Sequence, residues 1–212
     1  MGVRNDKKGV LKYNVLKITL EMIKEKPFEC ITVSEISHAA GISEVTFFKT
    51  FRMKEEILQY FMLVWNLKRV VRLEKETSKK GLTAIYSIFE DIAKTENALV
   101  IMVSLVSFFS NLKKRPRPIK LETYDKRAIL ENDMYSDVDV EEFESQMLRH
   151  LKEAIADGEI DRSVDLLRTI KVIAGVFYGV PLISHMSSSN DFFGDYKDSL
   201  DLIFTALRHG RG

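Results

Sequence analysis

Histidine and cysteine, two side chains that often catalyse reactions or bind metals, are few in this sequence and are scattered along it. No metal-ligand spacing relates the four histidines, which are His38, His150, His185 and His209. Cys30 is the only cysteine, which excludes an internal disulfide and a multi-cysteine zinc site. The sequence contains neither a phosphate-binding glycine loop nor a Gly-x-Ser-x-Gly nucleophile elbow. We therefore predict a protein that is not an enzyme and that uses no cofactor or metal.

Acidic residues are concentrated between positions 137 and 144, which raises the question of a calcium site. They lack the glycine and the ligand order of a calcium-binding loop. They also stand at the start of a predicted helix over 137–157, where negative charge is favourable for the helix dipole. We interpret them as solvated, helix-capping side chains.

The net charge of +1 hides an uneven distribution of charged residues along the chain. Residues 1–54 carry a net charge of +4, which leaves −3 for the remainder. A basic N-terminal segment on a slightly acidic body favours a polyanionic partner for that segment alone.

Few turn-forming residues interrupt the chain, which has four prolines and ten glycines in 212 residues, and this favours long helices. Periodicity and end signals predict helices over 7–26, 33–40, 44–51, 54–75, 82–95, 97–112, 122–134, 137–157, 163–187 and 194–208. The basic segment 113–118 is predicted to be a surface loop. The longest apolar stretch, 98–109, is shorter than the roughly 20 residues of a membrane span. Since the start of the chain also lacks a secretory signal, we expect a cytoplasmic protein.

Helices 33–40 and 44–51 are separated only by a short turn at Gly41, which is the arrangement of a helix-turn-helix. Thr32 and Glu35 form a capping box at the start of the first helix, and Ser43 can cap the second. Gly41 suits the left-handed turn that ends the first helix. The second helix can enter a DNA major groove, which is about 12 Å wide.

The second of these helices has one apolar side, formed by Phe47 and Phe51, which we expect to face inward with Ile36 and Ile42. The whole run 32–58, TVSEISHAAGISEVTFFKTFRMKEEIL, resembles the signature of TetR-family helix-turn-helix transcription regulators. That pattern is a Thr-Val start, an Ile, an Ala-Gly-Val/Ile-Ser turn, a Thr-Leu-Tyr recognition segment, a Phe, and then Lys-Glu.

The resemblance implies roles for individual residues. Thr32 would contact a phosphate from the start of its helix, and Lys54 would hold another phosphate. Ser43 and Thr46 would approach the DNA. Base or backbone contacts would come from Glu44, which could accept from cytosine, from Val45, which could touch a thymine methyl group, and from Lys49. The implied DNA-binding set is Thr32, Ser43, Glu44, Val45, Thr46, Phe48, Lys49 and Lys54.

Two departures from the family pattern leave alternatives open. Phe48 stands where the family usually has Tyr, so a hydroxyl contact to phosphate is lost, although the ring could pack on the sugar backbone. Phe28 and Glu29 stand in a loop that usually contains Gly. One alternative is a helical ligand-binding or enzymatic protein whose DNA-binding segment has degenerated. Another is a DNA-binding activator or chromosome-organising factor.

The resemblance also implies an effector pocket and a dimer interface in the rest of the chain. Large apolar side chains suited to a hydrophobic or aromatic small molecule are Phe61, Trp65, Tyr86, Phe89, Met102, Phe108, Phe109, Tyr124, Met147 and Phe177. Candidates for the interface of a homodimer are Leu166, Ile170, Ile173, Gly175, Gly179, Leu200, Ile203, Phe204 and Leu207. Core packing within one chain is the competing interpretation of both sets.

These observations together predict an all-α protein of about nine helices, with the short segment 122–134 as an additional one. Residues 1–54 would form a three-helix DNA-binding head, and residues 55–212 a helical body for effector binding and dimerisation. The expected function is sequence-specific regulation of transcription, as a repressor that a hydrophobic effector releases. The expected partners are a near-palindromic operator in double-stranded DNA, a second copy of the chain and an effector of unknown identity.

Overall fold

The computed structural model of the chain describes residues 2–75, 79–111, 119–131 and 138–208. Within these ranges there is no β-strand, and all regular structure is helical. The α-helices are α1 (Gly2–Ile23), α2 (Val33–Ala39), α3 (Glu44–Thr50), α4 (Glu56–Lys75), α5 (Gly81–Ala93), α6 (Ala98–Asn111), α7 (Thr123–Leu130), α8 (Phe143–Ala156), α9 (Leu166–Met186) and α10 (Phe192–Arg208). The prediction of an all-α fold is confirmed.

Several helices begin or end at other residues than predicted, in two cases because the local backbone conformation ends the helix although the apolar periodicity continues. α8 begins at Phe143, with Glu142 as its N-cap in an extended conformation, so the predicted start at residue 137 is wrong. α7 ends at Leu130 because Glu131 adopts a left-handed conformation with φ of 52°. The predictions for the loop 113–118, for Asp137 and for His209 lie outside the described residues.

The chain divides into two compact units, which we call unit 1 (Met1–Lys75 and Ser107–Val140) and unit 2 (Glu76–Val106 and Glu141–Gly212). In unit 1, α1 packs against α2, α4 and α7. The core of unit 1 is apolar and includes the fully buried Leu16, Ile36, Phe47 and Ile57. Since burial of apolar side chains is the main stabilising term, this core fixes the positions of α2 and α3.

In unit 2, α5, α8, α9 and α10 pack around an aromatic core. Phe89 lies edge-on to Phe177, with 5.2 Å between ring centres, and edge-on to Tyr196 at 4.9 Å. The buried Tyr196 hydroxyl donates a hydrogen bond to the Phe177 carbonyl at 2.7 Å. This burial raises the pKa of Tyr196, so the phenol stays neutral.

α9 is long and apolar enough to cross a membrane, judged by length and composition alone. In unit 2 it packs against α8 and α10, and its inner face, with Ile173 and Phe177, lies in the core. The two units are defined by contacts, whereas the boundary at residue 54 marks the end of the predicted helix-turn-helix segment, so that boundary stays a prediction.

Candidate nucleic-acid interface

The start of α2 is held by a complete capping box. The Thr32 backbone N–H donates to Glu35 Oε2 at 2.8 Å, and the Glu35 backbone N–H donates to Thr32 Oγ1 at 3.2 Å. Lys26 Nζ lies 2.5 Å from the other carboxylate oxygen of Glu35. The Lys26 hydrogen bond, followed by those from Thr32, lowers the pKa of Glu35 to about 2. Glu35 is therefore ionised at neutral pH, and Thr32 is fixed at the exposed end of the helix.

The turn between α2 and α3 is a Schellman motif centred on Gly41. The Ile42 N–H donates to the Ser37 carbonyl at 3.0 Å, and the Gly41 N–H donates to the His38 carbonyl at 3.1 Å. Gly41 has φ of +65°, and apart from its chain neighbours no described atom lies within 4 Å of the place where a Cβ would stand. Glycine is thus favoured here by backbone conformation and not by crowding.

α3 begins at its N-cap, Ser43, whose side chain accepts the Thr46 backbone N–H at 3.2 Å. The Ser43 and Thr46 hydroxyls are also hydrogen-bonded to each other at 2.9 Å. On the inner side of α3, Phe47 is fully buried and its ring lies 5.9 Å from that of Phe51. The inward placement predicted for these two phenylalanines is confirmed.

The outer side of α3 is solvent-exposed and chemically mixed. It carries Glu44 and Lys49 together with two large apolar side chains, Val45 at 64% and Phe48 at 50% exposure. The structure thus brings together on one surface most of the residues for which DNA contact was predicted. Such a helix offers charge for phosphates and cytosine, and apolar groups for thymine methyls.

Lys54 was predicted to hold a DNA phosphate, but in the structure its ammonium is hydrogen-bonded within the protein. It lies in the turn between α3 and α4, and its ammonium donates to the carbonyl oxygens of Phe28, Glu29 and Ile31 at 2.9, 3.1 and 2.7 Å. An ammonium has three N–H groups, so all of its donors are engaged within the protein.

Residues 15–61, which contain α2, α3 and the turn between them, match the sequence model of the bacterial regulatory proteins of the tetR family. The chain carries a TetR-family DNA-binding head. The resemblance drawn from the run 32–58 is therefore confirmed, and the match extends into α1 and α4. The sequence matches none of the curated proteins with which it was compared.

Solved structures of similar fold are regulators as well. Escherichia coli NemR in its reduced form has a TM-score of 0.56 at 14% identity, with 91% of this chain and 95% of NemR covered. The fatty acid degradation regulator FadR from Bacillus halodurans has a TM-score of 0.57 at 16% identity, with coverage of 93% and 96%. Salmonella enterica GusR has a TM-score of 0.53 at 15% identity, with coverage of 92% and 96%. At these identities the likeness establishes the shared fold, which extends beyond the TetR-family head.

The described part of the chain contains no group of three or more His, Cys, Asp or Glu side chains that could hold a metal ion. His38 and His185 are exposed. His150 is buried in unit 2, where its Nδ1 lies 2.8 Å from Glu153 Oε2. A lone cysteine is most simply interpreted from sequence as a small core residue, but Cys30 is exposed, so that interpretation is wrong here.

The residues predicted for an effector pocket are divided between the two units. Phe61 and Phe108 are buried in unit 1, Trp65 and Tyr124 are half-buried there, and Phe109 is exposed. Fully buried in unit 2 are Phe89, Met102, Met147 and Phe177, while Tyr86 is half-buried and its hydroxyl donates to Asp201. An open groove of about 710 Å³ lies between α1 and α7, but none of these residues lines it. The effector pocket stays a prediction.

The residues predicted for the dimer interface fall on two different faces of α9 and α10. Ile170, Ile173, Leu200 and Phe204 point into the core of unit 2, so they have almost no exposed surface to offer a second chain. Gly175 is exposed, while Leu166, Gly179, Ile203 and Leu207 are half-buried. The large apolar side chains that are exposed on these helices were not among the predicted interface residues. They are Leu167, Val172, Leu182, Ile183, Met186 and Leu202.

Sequence reasoning missed several residues that organise the TetR-family head. Lys26 was not singled out, although its position just after α1 brings it to Glu35. The buried pair of Lys12 and Asp125 was also missed. A lysine on the apolar side of a predicted helix, four residues before Leu16, was the available signal for a buried partner.

Proposed function

We propose that the chain is a homodimeric transcription repressor, which binds a near-palindromic operator through α3 and leaves it when a hydrophobic or aromatic small molecule binds. The observation that carries the DNA-binding part is the exposed outer side of α3. Two well-capped short helices hold Val45, Phe48 and Lys49 outward, with 64% and 50% exposure for the two apolar side chains. Large apolar side chains so exposed on a short helix are expected to have a partner.

Dimerisation is supported by the outer face of α9. Ile183 and Met186 are 63% and 73% exposed at its carboxyl end, and Val172 is exposed nearer its start. Gly175 and Gly179 lie between them, and apart from their own stretch of α9 no described atom comes within 4 Å of a Cβ placed on either glycine. This face is apolar and largely exposed, and its two glycines allow the close approach of another helix. The occupant we propose is the same face of a second copy, because a C2 interface is self-complementary.

Two α3 helices would then lie about 34 Å apart, which is one turn of DNA, and would read two half-sites of a palindrome. The repressor would act in the cytoplasm, where operator DNA is accessible. An effector releases the operator only if it binds better to a dimer whose heads are wrongly spaced, since equal affinity shifts no equilibrium.

Selection of bound sequences from random duplexes tests the operator proposal. A near-palindromic consensus, bound with an affinity that falls steeply as salt rises, is the expected result. Recovery of unrelated sequences by the purified dimer would contradict it and would favour a degenerate head.

Sedimentation of an Ile183→Glu variant tests the dimer face. We expect a folded monomer, because two buried carboxylates would face each other at the interface. The matched control is Val100→Glu, which adds the same charge at another exposed apolar residue of unit 2 and should remain dimeric. A dimeric Ile183→Glu variant would contradict the proposed face.

Effector release is tested with the uncharged aromatic probe N-phenyl-1-naphthylamine. Saturable fluorescence enhancement at a fixed stoichiometry, accompanied by loss of operator binding, is expected for a pocket lined by apolar and aromatic side chains. Enhancement without any change in operator affinity would contradict effector control by this class of compound.

A further inference from the structure

Lys54 ties together the two ends of the helix-turn-helix. Its ammonium lies on the carbonyl oxygens of Phe28, Glu29 and Ile31, at 2.7 to 3.1 Å, across 23 to 26 residues of chain. Phe28 and Glu29 belong to the short 3-10 helix Phe28–Cys30 that leads into α2, while Lys54 follows α3. The segment between the two sides of this contact is the helix-turn-helix itself.

Three carbonyls converge on one point because the chain turns tightly at Phe28–Cys30. Within that turn the Cys30 N–H donates to the Pro27 carbonyl at 2.9 Å and the Ile31 N–H to the Phe28 carbonyl at 3.1 Å. Carbonyl oxygens at the end of a helical turn carry partial negative charge and attract a cation. The ammonium also lies 4.6 Å from the centre of the buried Phe28 ring, whose face favours a cation.

A lysine suits this site better than an arginine. Its ammonium is a compact charge with three donors, which can point to three separate oxygens. A guanidinium is planar and presents its donors in a fixed fork, so it cannot reproduce three converging hydrogen bonds.

The residue that follows this contact is Thr32, the N-cap of α2. Ile31 accepts the shortest of the three Lys54 hydrogen bonds, and Thr32 continues directly into the capping box with Glu35. Lys54 therefore contacts the chain directly before the N-cap of α2. We propose that Lys54 is a positioning residue for operator binding, which sets the entry to α2 by clamping residues 28–31, and that it does not bind a DNA phosphate.

The inference rests on the proposed function for its DNA-binding consequence, whereas the clamp itself can be measured without DNA. The test compares the full-length Lys54→Met, Lys54→Arg and Lys49→Met proteins with the parent. Hydrogen exchange is followed at the backbone amides of residues 30–36, and operator affinity is measured over a salt series at a temperature where each variant is folded.

For Lys54→Met we expect exchange at residues 30–36 to rise, and operator affinity to fall by about tenfold or more, as for loss of hydrogen bonds to a charged group. The slope of log affinity against log salt should stay unchanged, because no phosphate contact is lost. Lys54→Arg keeps the charge but should resemble Lys54→Met in both measurements. Lys49→Met removes an exposed charge from α3, so its slope should fall by about one with exchange at 30–36 unaltered.

The proposal is overturned if Lys54→Met lowers the salt slope by about one, which is the loss of a phosphate contact. It is equally overturned if Lys54→Arg retains the parent affinity, or if exchange at 30–36 does not change. Should Lys54→Met fail to fold, the operator affinity of Lys54→Arg and its hydrogen exchange at residues 30–36 test the proposal instead. A parent protein that binds no duplex selectively would contradict the proposed function instead, and the exchange data would then decide the clamp alone.

Discussion

The ammonium of Lys12 lies 3.4 Å from a carboxylate oxygen of Asp125, although 113 positions separate the two residues in the chain. The Asp125 carboxylate is fully buried, and only 11% of the Lys12 side chain is exposed. The same carboxylate oxygen accepts the Glu122 backbone N–H at 3.0 Å, and the ammonium lies 4.3 Å from the centre of the Tyr60 ring. A buried ion pair thus joins α1 of the TetR-family head to α7.

Removing one member of this pair should destabilise unit 1 strongly. Lys12→Met leaves the Asp125 carboxylate buried without its cation, and we expect a loss of about 3–5 kcal/mol in the free energy of unfolding. The double variant Lys12→Met/Asp125→Leu should lose much less, because it leaves no charge buried. Denaturant unfolding of the variants measures both effects.

The exposed pair of Asp6 and Arg127, which joins the same two helices at 3.8 Å, provides the control. Asp6→Asn should cost less than about 1 kcal/mol, since the ion pair is solvated. If Lys12→Met lowered the free energy of unfolding no more than Asp6→Asn, the buried ion pair would contribute no more to stability than the exposed one.

The helix-turn-helix was largely predictable from sequence because its determinants are local. Thr32 and Glu35 are three residues apart, and the left-handed turn falls on Gly41 itself. Each of these signals acts within one turn of helix, so a short window of sequence contains both partners of the interaction. The family resemblance then rested on the same window.

The long-range contacts were not predictable in this way. Nothing near Lys54 in the sequence indicates that its ammonium reaches residues 28–31, and nothing near Lys12 indicates Asp125. The dimer candidates illustrate a related limit. α9 is apolar on two sides, and periodicity alone does not tell which side, that of Ile173 or that of Ile183, lies in the protomer core.

Acid should loosen the start of α2 through Glu35. Hydrogen bonds from Lys26 and Thr32 hold the pKa of Glu35 at about 2, below its ordinary value of 4.5. Because the folded-state pKa is lowered, the contribution of this carboxylate to stability is complete above pH 4.5 and is lost as the pH falls toward 2. Carboxyl carbon NMR of the folded protein measures this titration directly.

Lys26→Met provides the matched variant for that titration, since the Lys26 hydrogen bond is the largest cause of the shift. The pKa of Glu35 should move toward its ordinary value in this variant. An unchanged titration would mean that the capping box alone holds the carboxylate ionised.

Val45 should read a methyl group of thymine in the proposed operator. Its side chain is 64% exposed on α3, and a thymine methyl is the apolar group that the major groove offers. Replacing the contacted thymine by uracil removes only that methyl, and the affinity of the parent protein should fall by about fourfold, the value of one buried methyl. Val45→Ala should bind the two duplexes with nearly equal affinity.

Uracil at positions flanking the selected consensus provides the control, and it should leave the affinity of both proteins unchanged. The same comparison with Phe48→Ala separates a role in base reading from packing on the sugar backbone. If Phe48 contacts a thymine methyl group, Phe48→Ala should bind the thymine and uracil duplexes with equal affinity at that position. If Phe48 packs on the sugar backbone, Phe48→Ala should respond to uracil as the parent protein does. Equal sensitivity of parent and Val45→Ala at every thymine would contradict the assignment.

Gly9 and Gly175 should respond in opposite directions to the same substitution. A Cβ on Gly9 would lie 2.3 Å from the Tyr124 carbonyl oxygen, a backbone atom of α7, so Gly9→Ala forces α1 and α7 apart. We expect this overpacking to cost about 1–3 kcal/mol in the free energy of unfolding, despite the better helix propensity of alanine.

The Cβ of Gly175→Ala meets no described atom within 4 Å outside its own stretch of α9, so the protomer should gain up to about 1 kcal/mol from helix propensity. If α9 is the dimer face, the added methyl group lies where the second helix approaches, and dimer dissociation should become easier while the protomer becomes more stable. Denaturant unfolding as a function of protein concentration separates the two quantities. A variant that is more stable and equally dimeric would show that Gly175 lies outside the interface, because the same methyl cannot both occupy a close helix contact and leave it unaffected.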